Sequence, residues 1–317
     1  MARRSRRSPR RIESCTLVKP PNFEYLRPGS VDEALEMLAE NPDDSKILAG
    51  GQSLIPVLNF RMASPERLID INRLSELAYI RSVDGTLRIG AMTRTAMLEK
   101  SGVIERKWPL LEDAVRWIAH AAIRNRGTVG GGVAHADSAA ELPVAFIAMD
   151  ATIVARSSKR GERTIPSREF FVGTMTTALE PDEILVEIRV PSPPRGHGFS
   201  FEEISRRNGD YGLAGAAVIV SIDDLGRCSE ARISLLGAAQ TPLRVPSAEA
   251  LLTGEVIDEA VVESAVRRAC DASEPTGDMH GSAEYRRSLV GVVLRRAINT
   301  AVERAKGARD ATANDND

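Results

Sequence analysis

Two short stretches of the chain have the residue types needed to hold an anion by its backbone. The first is Thr128-Val129-Gly130-Gly131-Gly132-Val133-Ala134-His135-Ala136-Asp137. Three successive glycines remove every Cβ and admit positive φ, so backbone N–H groups can be laid against a bulky anion. Ser138, with Glu141 three residues on, predicts a capped helix over 138–149, and a glycine loop running into a helix N-terminus is an anion site. Three glycines alone fit a tight turn equally well. The second stretch is Ala49-Gly50-Gly51-Gln52-Ser53-Leu54-Ile55-Pro56. It follows the apolar strand 46–48, leads into a helical turn, and offers Gln52 and Ser53 as side-chain donors. A pair of such loops suggests two phosphates, or one pyrophosphate gripped from both sides. Neither loop has the lysine of a Walker A motif, nor the GxGxxG-and-acid pattern of a Rossmann site. A dinucleotide held by backbone amides and hydroxyls is the reading that uses both.

The elements that must position these loops follow from patterning. Ser30 and Glu33 form a capping box for a helix over 31–40. Strand 67–71 follows the first loop, then a hairpin over 78–91 turning at Asp84-Gly85. Helices are expected over 93–100 and 109–119, and strands over 151–156 and 184–190, the last alternating as a half-buried strand does. Pro191-Ser192-Pro193-Pro194-Arg195-Gly196-His197-Gly198 reads as a linker and a domain boundary. Beyond it, strands at 199–205, 214–222 and 231–236 precede helices at 258–269 and 284–305, an α+β arrangement.

Composition narrows the function. The 317 residues carry a net charge of −2 and only 4% aromatic side chains, which argues against a nucleic-acid binder. No apolar run approaches the roughly 18 residues of a membrane span. Cys15, Cys228 and Cys270 are scattered, with no zinc or iron–sulfur spacing, as suits a reducing cytoplasm. The arginine-rich start has no apolar segment after it and reads as a disordered arm over 1–19. A polar, disordered tail is expected over 306–317.

At this point the chain resembles a known family. Ala49-Gly50-Gly51-Gln52-Ser53-Leu54, Thr128-Val129-Gly130-Gly131 and Ser205-Arg206-Arg207-Asn208-Gly209-Asp210-Tyr211 are similar, in order and spacing, to three motifs of the molybdenum hydroxylases. The similarity is to their FAD-binding medium subunit, of the carbon monoxide dehydrogenase and xanthine dehydrogenase type. It implies a two-subdomain FAD-binding fold of the vanillyl-alcohol-oxidase type over 20–190, with subdomains 20–74 and 75–190. A small C-terminal α+β domain over 198–305 would follow. It also implies that Ala49, Gly50, Gly51, Gln52, Ser53, Leu54, Thr128, Val129, Gly130, Gly131 and Gly132 hold the FAD pyrophosphate. Asp137 would bond the ribityl or a neighbouring polar part, and Tyr211 would lie by one face of the isoalloxazine. The chain departs from the family pattern at Gly132, where Asn is usual, and at Ser138, where Pro is usual.

Other residues have plainer alternatives. Asp137 and Glu141 form either a carboxylate pair or a cofactor contact plus a first-turn helix acid. His135 is a proton donor to the flavin or a packing residue; His120 and His280 lack the neighbours of a metal site. Arg206 and Arg207 bond a carboxylate, a flavin edge or a partner chain, or sit at an ion-paired strand end. The function implied is electron transfer. A large molybdenum-cofactor subunit oxidises the substrate, and a small [2Fe–2S] subunit passes electrons to FAD here. An external acceptor then takes them, with no catalytic side chain needed in this chain. The alternatives are a self-contained FAD oxidoreductase using His135, and a nucleotide-binding regulatory module.

Overall fold

The structure, a computed structural model, describes residues 19–194 and 196–314. The basic arm, apart from Lys19, and Cys15 lie outside the described residues.

The first layer is a parallel three-stranded sheet of Glu24–Leu26, Arg67–Asp70 and Ser45–Leu48, in that spatial order. Its helix, Val31–Glu40, buries Val31, Ala34, Leu35 and Leu38 on one stripe. The Ser30 hydroxyl caps it by accepting from Glu33 N at 3.1 Å, while the Glu33 carboxylate accepts from Gly29 N. The strand Ser45–Leu48 ends at the first glycine segment, which places that segment at the carboxyl end of a parallel sheet.

The second layer is an antiparallel sheet in the order Ile80–Val83, Thr86–Gly90, Glu183–Val190, Thr152–Ser157, Gly161–Pro166. Asp84 and Gly85 both take positive φ, 49° and 75°, the torsions a type I′ hairpin requires. Glu183–Val190 departs from the half-buried expectation, because it is the central strand and is covered on both faces. Its alternating acids are buried with partners: Glu187 accepts from the Tyr79 hydroxyl at 2.7 Å, and Glu183 pairs with Arg163 at 2.7 Å. The edge strand Gly161–Pro166 was not expected, since its exposed, charged sequence looks like loop and suits an edge for that reason. Helices pack against this sheet around Trp108, Phe146 and Phe170, all fully buried.

The third sheet, antiparallel, runs His197–Ser205, Gly212–Ile222, Cys228–Leu236, Leu243–Arg244. Ala283–Asn314 and Pro246–Leu252 cover one face through Ala, Val and Leu, and Glu259–Ala272 packs against both helices. The last helix continues eight residues past the expected start of the tail at 306, because Gly307 is the only helix breaker in a stretch rich in Ala, Lys and Arg. The opposite face, through Phe201, Ala217, Ile219 and Leu236, joins the core of the second layer and meets the helix Glu141–Ala148. No described helix is long and apolar enough to cross a membrane.

Candidate functional site

The two glycine segments meet. A Cβ added at Gly131 would lie 3.4 Å from the Ala49 Cβ, and one at Gly50 would lie 2.4 Å from the Arg126 carbonyl oxygen. Beside that contact opens a cleft of about 640 Å³, lined by Ala49, Gly50, Gly51 and Gln52 of the first segment and by Asp70, Asn72, Arg94 and Arg126, with the second segment behind Arg126.

The first segment is an open loop with Gly51 at φ +73°. Among the described residues, the amides of Gly50, Gly51, Gln52, Ser53 and Leu54 donate to no protein acceptor. Leu54 starts the helix Leu54–Asn59, and Gln52 spends a side-chain N–H on Gly50 O at 3.1 Å. Ser53 caps nothing with its hydroxyl.

The second segment corrects the loop expectation. Val129–His135 is helical, and none of Gly130, Gly131 or Gly132 takes positive φ. Its early amides are spent: Val129 N donates to Thr93 O (2.9 Å), Gly130 N to Ala91 O (2.9 Å) and Gly132 N to Thr128 O (3.0 Å). Gly131 N donates to the Thr128 hydroxyl at 3.1 Å. The glycines are there for close approach instead. A Cβ at Gly130 would meet Ala91 Cβ at 2.6 Å, and at Gly131 the Thr128 hydroxyl at 2.7 Å, whereas Gly132 faces open space. The helix stops at Ala136 in the left-handed region, φ 53°. The helix expected over 138–149 is Glu141–Ala148, with Ala140 at its N-cap and no side-chain cap. Ser138 gives its carbonyl to Gly237 N at 3.1 Å, and the Asp137 carboxylate accepts from Ala139 N at 2.9 Å, so the capping box does not form.

Five residues that sequence reading passed over tie the cleft together. Asn72 donates its side-chain amide to the Ala49 carbonyl, and its Oδ1 accepts from Arg94 Nη2 at 3.0 Å. Arg94 Nη1 also donates to the Arg126 carbonyl, so one guanidinium links Asn72, which holds the Ala49 carbonyl, to the backbone just ahead of Thr128. Asp70 accepts from Asn72 N at 2.9 Å and from the Tyr25 hydroxyl. Burial opposes ionisation of Asp70, yet these hydrogen bonds hold its carboxyl below the usual range. Burial, then the charge of Arg126, lowers Arg94. The Arg126 guanidinium has no hydrogen bond or ion pair within the described residues. Two arginines thus share one cleft with a single carboxylate, Asp70, and the Arg126 guanidinium is left over to meet an anion there. The visible signal was Arg126, two residues ahead of Thr128.

Asp137 and Tyr211 lie apart from this cleft but near each other. Tyr211 precedes the strand Gly212–Ile222 with 72% of its surface exposed. Partial desolvation, then the charges of Asp137 and Glu141, raise its pKa. Glu141 is itself buried and pushed up to about 7, by desolvation and then by Asp137. The loop 206–210 reaches back to the second layer, where Gly209, at φ +85°, leaves no room for a Cβ over His120 (2.5 Å). Arg206 Nη1 donates to His280 Nδ1 at 2.7 Å, and His135 is the last residue of the helix Val129–His135.

A parallel half and an antiparallel half enclosing a cleft for an anionic ligand, followed by an α+β domain, define a dinucleotide-binding subunit. The chain belongs to the FAD-binding subunits of the molybdopterin dehydrogenases: residues 21–193 match the FAD binding domain in molybdopterin dehydrogenase, and 199–301 the CO dehydrogenase flavoprotein C-terminal domain. It is 46% identical over 293 residues to 6-hydroxypseudooxynicotine dehydrogenase complex subunit alpha of Paenarthrobacter nicotinovorans, covering 92% of this chain and 99% of that one. It is 40% identical to the carbon monoxide dehydrogenase medium chain of Hydrogenophaga pseudoflava, over 89% and 98%. A solved carbon monoxide dehydrogenase from the same organism superposes with a TM-score of 0.88 at 42% identity, covering 90% and 99%. Quinoline 2-oxidoreductase from Pseudomonas putida 86 gives 0.86 at 38% identity, with the same coverage. The cofactor is FAD, and the chain is a flavoprotein subunit of an oxidoreductase.

Proposed function

We propose that this chain takes electrons from a [2Fe–2S] cluster on a small partner subunit, downstream of a large molybdenum-cofactor subunit, and hands them through FAD to an external acceptor in the cytoplasm. FAD supplies the electron-accepting ring that can take and pass electrons singly or in pairs. The chain's own residues bind and orient it. The observation that carries the reading is the set of unpartnered amides on the loop from Gly50 to Leu54, whose Gly50, Gly51 and Gln52 line a cleft shared by Arg94 and Arg126. Those amides are the donors for a pyrophosphate, and the two guanidinium groups offset its charge. Ala49, Gln52 and Ser53 shape that loop. Thr128, Val129, Gly130, Gly131 and Gly132 form the tightly packed segment beyond Arg126 that backs the diphosphate end. Asp137 and Tyr211 serve the flavin end, where Tyr211 presents an exposed ring edge to be covered.

Two measurements test this. Denaturing the purified chain should release free FAD; protein that stays colourless after incubation with FAD would overturn the cofactor site. Combined with its small and large partners, the chain should show substrate-dependent bleaching of the flavin, and alone it should show none with the same substrates. Turnover by the chain alone would favour the self-contained flavoenzyme, with His135 as its proton donor.

A further inference from the structure

The seam between the second layer and the C-terminal sheet holds two acids and no base. Glu203, on the strand His197–Ser205, shares a face with Phe201 and is 4% exposed. Both of its carboxyl oxygens are buried without a hydrogen-bond partner. Glu141, at the first turn of the facing helix, is 9% exposed. Gly212 makes the space: a Cβ there would lie 2.9 Å from the Glu203 Cδ and 3.0 Å from its Oε1. Tyr211 is the next residue along, and Gly237 N fastens the Ser138 carbonyl beside it at 3.1 Å. The ionisable groups that act on this pocket are Asp137 and Glu141 from the second layer, and Glu203 and Tyr211 from the C-terminal domain. No arginine, lysine or histidine figures among the charges that Glu141 or Glu203 feels.

We propose that Glu141 and Glu203 are a proton-holding pair in the domain seam, which takes up a proton when negative charge arrives on the cofactor beside Tyr211 and gives it back when that charge leaves. The inference rests on the placement of the flavin by Asp137 and Tyr211. A carboxyl with two unpartnered oxygens in a dry seam is stable only as the neutral acid. Desolvation, then the charge of Glu141, pushes Glu203 up to about 9. Desolvation, then the charge of Asp137, pushes Glu141 up to about 7, and the two protons leave in steps that belong to the pair rather than to either side chain. Added negative charge nearby raises both further. The proton moves from solvent to a carboxylate oxygen, forming one O–H bond. No electron passes through either side chain; the electrons are those the subunit already carries.

The test is proton uptake on reducing the FAD-loaded chain in weakly buffered solution, with FAD content read separately from absorbance. At about pH 8, wild type should take up roughly one proton per flavin more than Glu141→Gln/Glu203→Gln, while each single variant keeps one of the two titration steps. Equal uptake by the double variant and wild type, both holding FAD, would overturn the pair's role. Protein that never holds FAD overturns the site reading beneath it instead. Should the variants not fold, infrared difference spectra of wild type decide: reduction should strengthen a protonated-carboxyl band, and no change in that band refutes the proposal.

Discussion

Between Gly50 and Leu54 the backbone leaves five amides free, whereas from Val129 to Gly132 every amide is already bonded within the chain. The two segments look alike on paper, but they meet different physical demands. In the first, Gly51 supplies a left-handed torsion that opens a concave set of donors. In the second, the torsions are helical, and what glycine contributes is the absence of a side chain where Ala91, Thr128 and Ala49 crowd in. Only one segment reads as a donor nest; the other is a smooth wall.

That contrast can be broken at Gly50, which rests on the backbone of Arg126 and Gly127, just ahead of the wall segment. In Gly50→Ala the new methyl would stand 2.4 Å from the Arg126 carbonyl oxygen and 2.8 Å from the Gly127 Cα, and neither atom can swing aside. The variant should lose about 3 kcal/mol in thermal or denaturant unfolding, with FAD occupancy falling sharply. Unchanged occupancy would mean the segments do not share a ligand. Next in size is Gly51→Ala, where φ +73° costs about 1–2 kcal/mol, while the close neighbours are the Ile55 and Leu48 side-chain tips, which can yield. FAD titration should show a moderate loss of affinity, smaller than for Gly50→Ala. Smallest is Gly132→Ala, a helical site with nothing within 4 Å. It should stabilise by up to about 1 kcal/mol and leave FAD affinity within about twofold. A tenfold loss there would show that the wall, too, is read by the cofactor through that position.

Much of the frame was legible from local rules. The capped helix Val31–Glu40 and the Asp84-Gly85 hairpin follow from their own residues, with no help from distant contacts. Both glycine segments stood out as unusual. Their secondary structure did not, because three glycines oppose helix by propensity, and only the Thr128 cap and packing on Ala91 reverse that. Arg94 and Arg126 read as surface charge until the fold brings them to one cleft. Glu203 hid for the opposite reason: adjacent to Glu202 it reads as one of two solvated acids, and here the second layer covers it. The resemblance supplied the cofactor; the geometry supplies which groups are free to hold it.

The contact of Gly50 with Arg126, with Arg94 and Asn72 bracing both sides, has a kinetic meaning. The two walls of the cleft are joined through backbone before any ligand arrives, so neither has to travel to meet the other. Capture of FAD by such a preassembled slot needs no ordering step after encounter. Its observed rate should rise in proportion to FAD concentration without reaching a plateau, and the subunit's hold on the cofactor should be decided by how slowly FAD escapes.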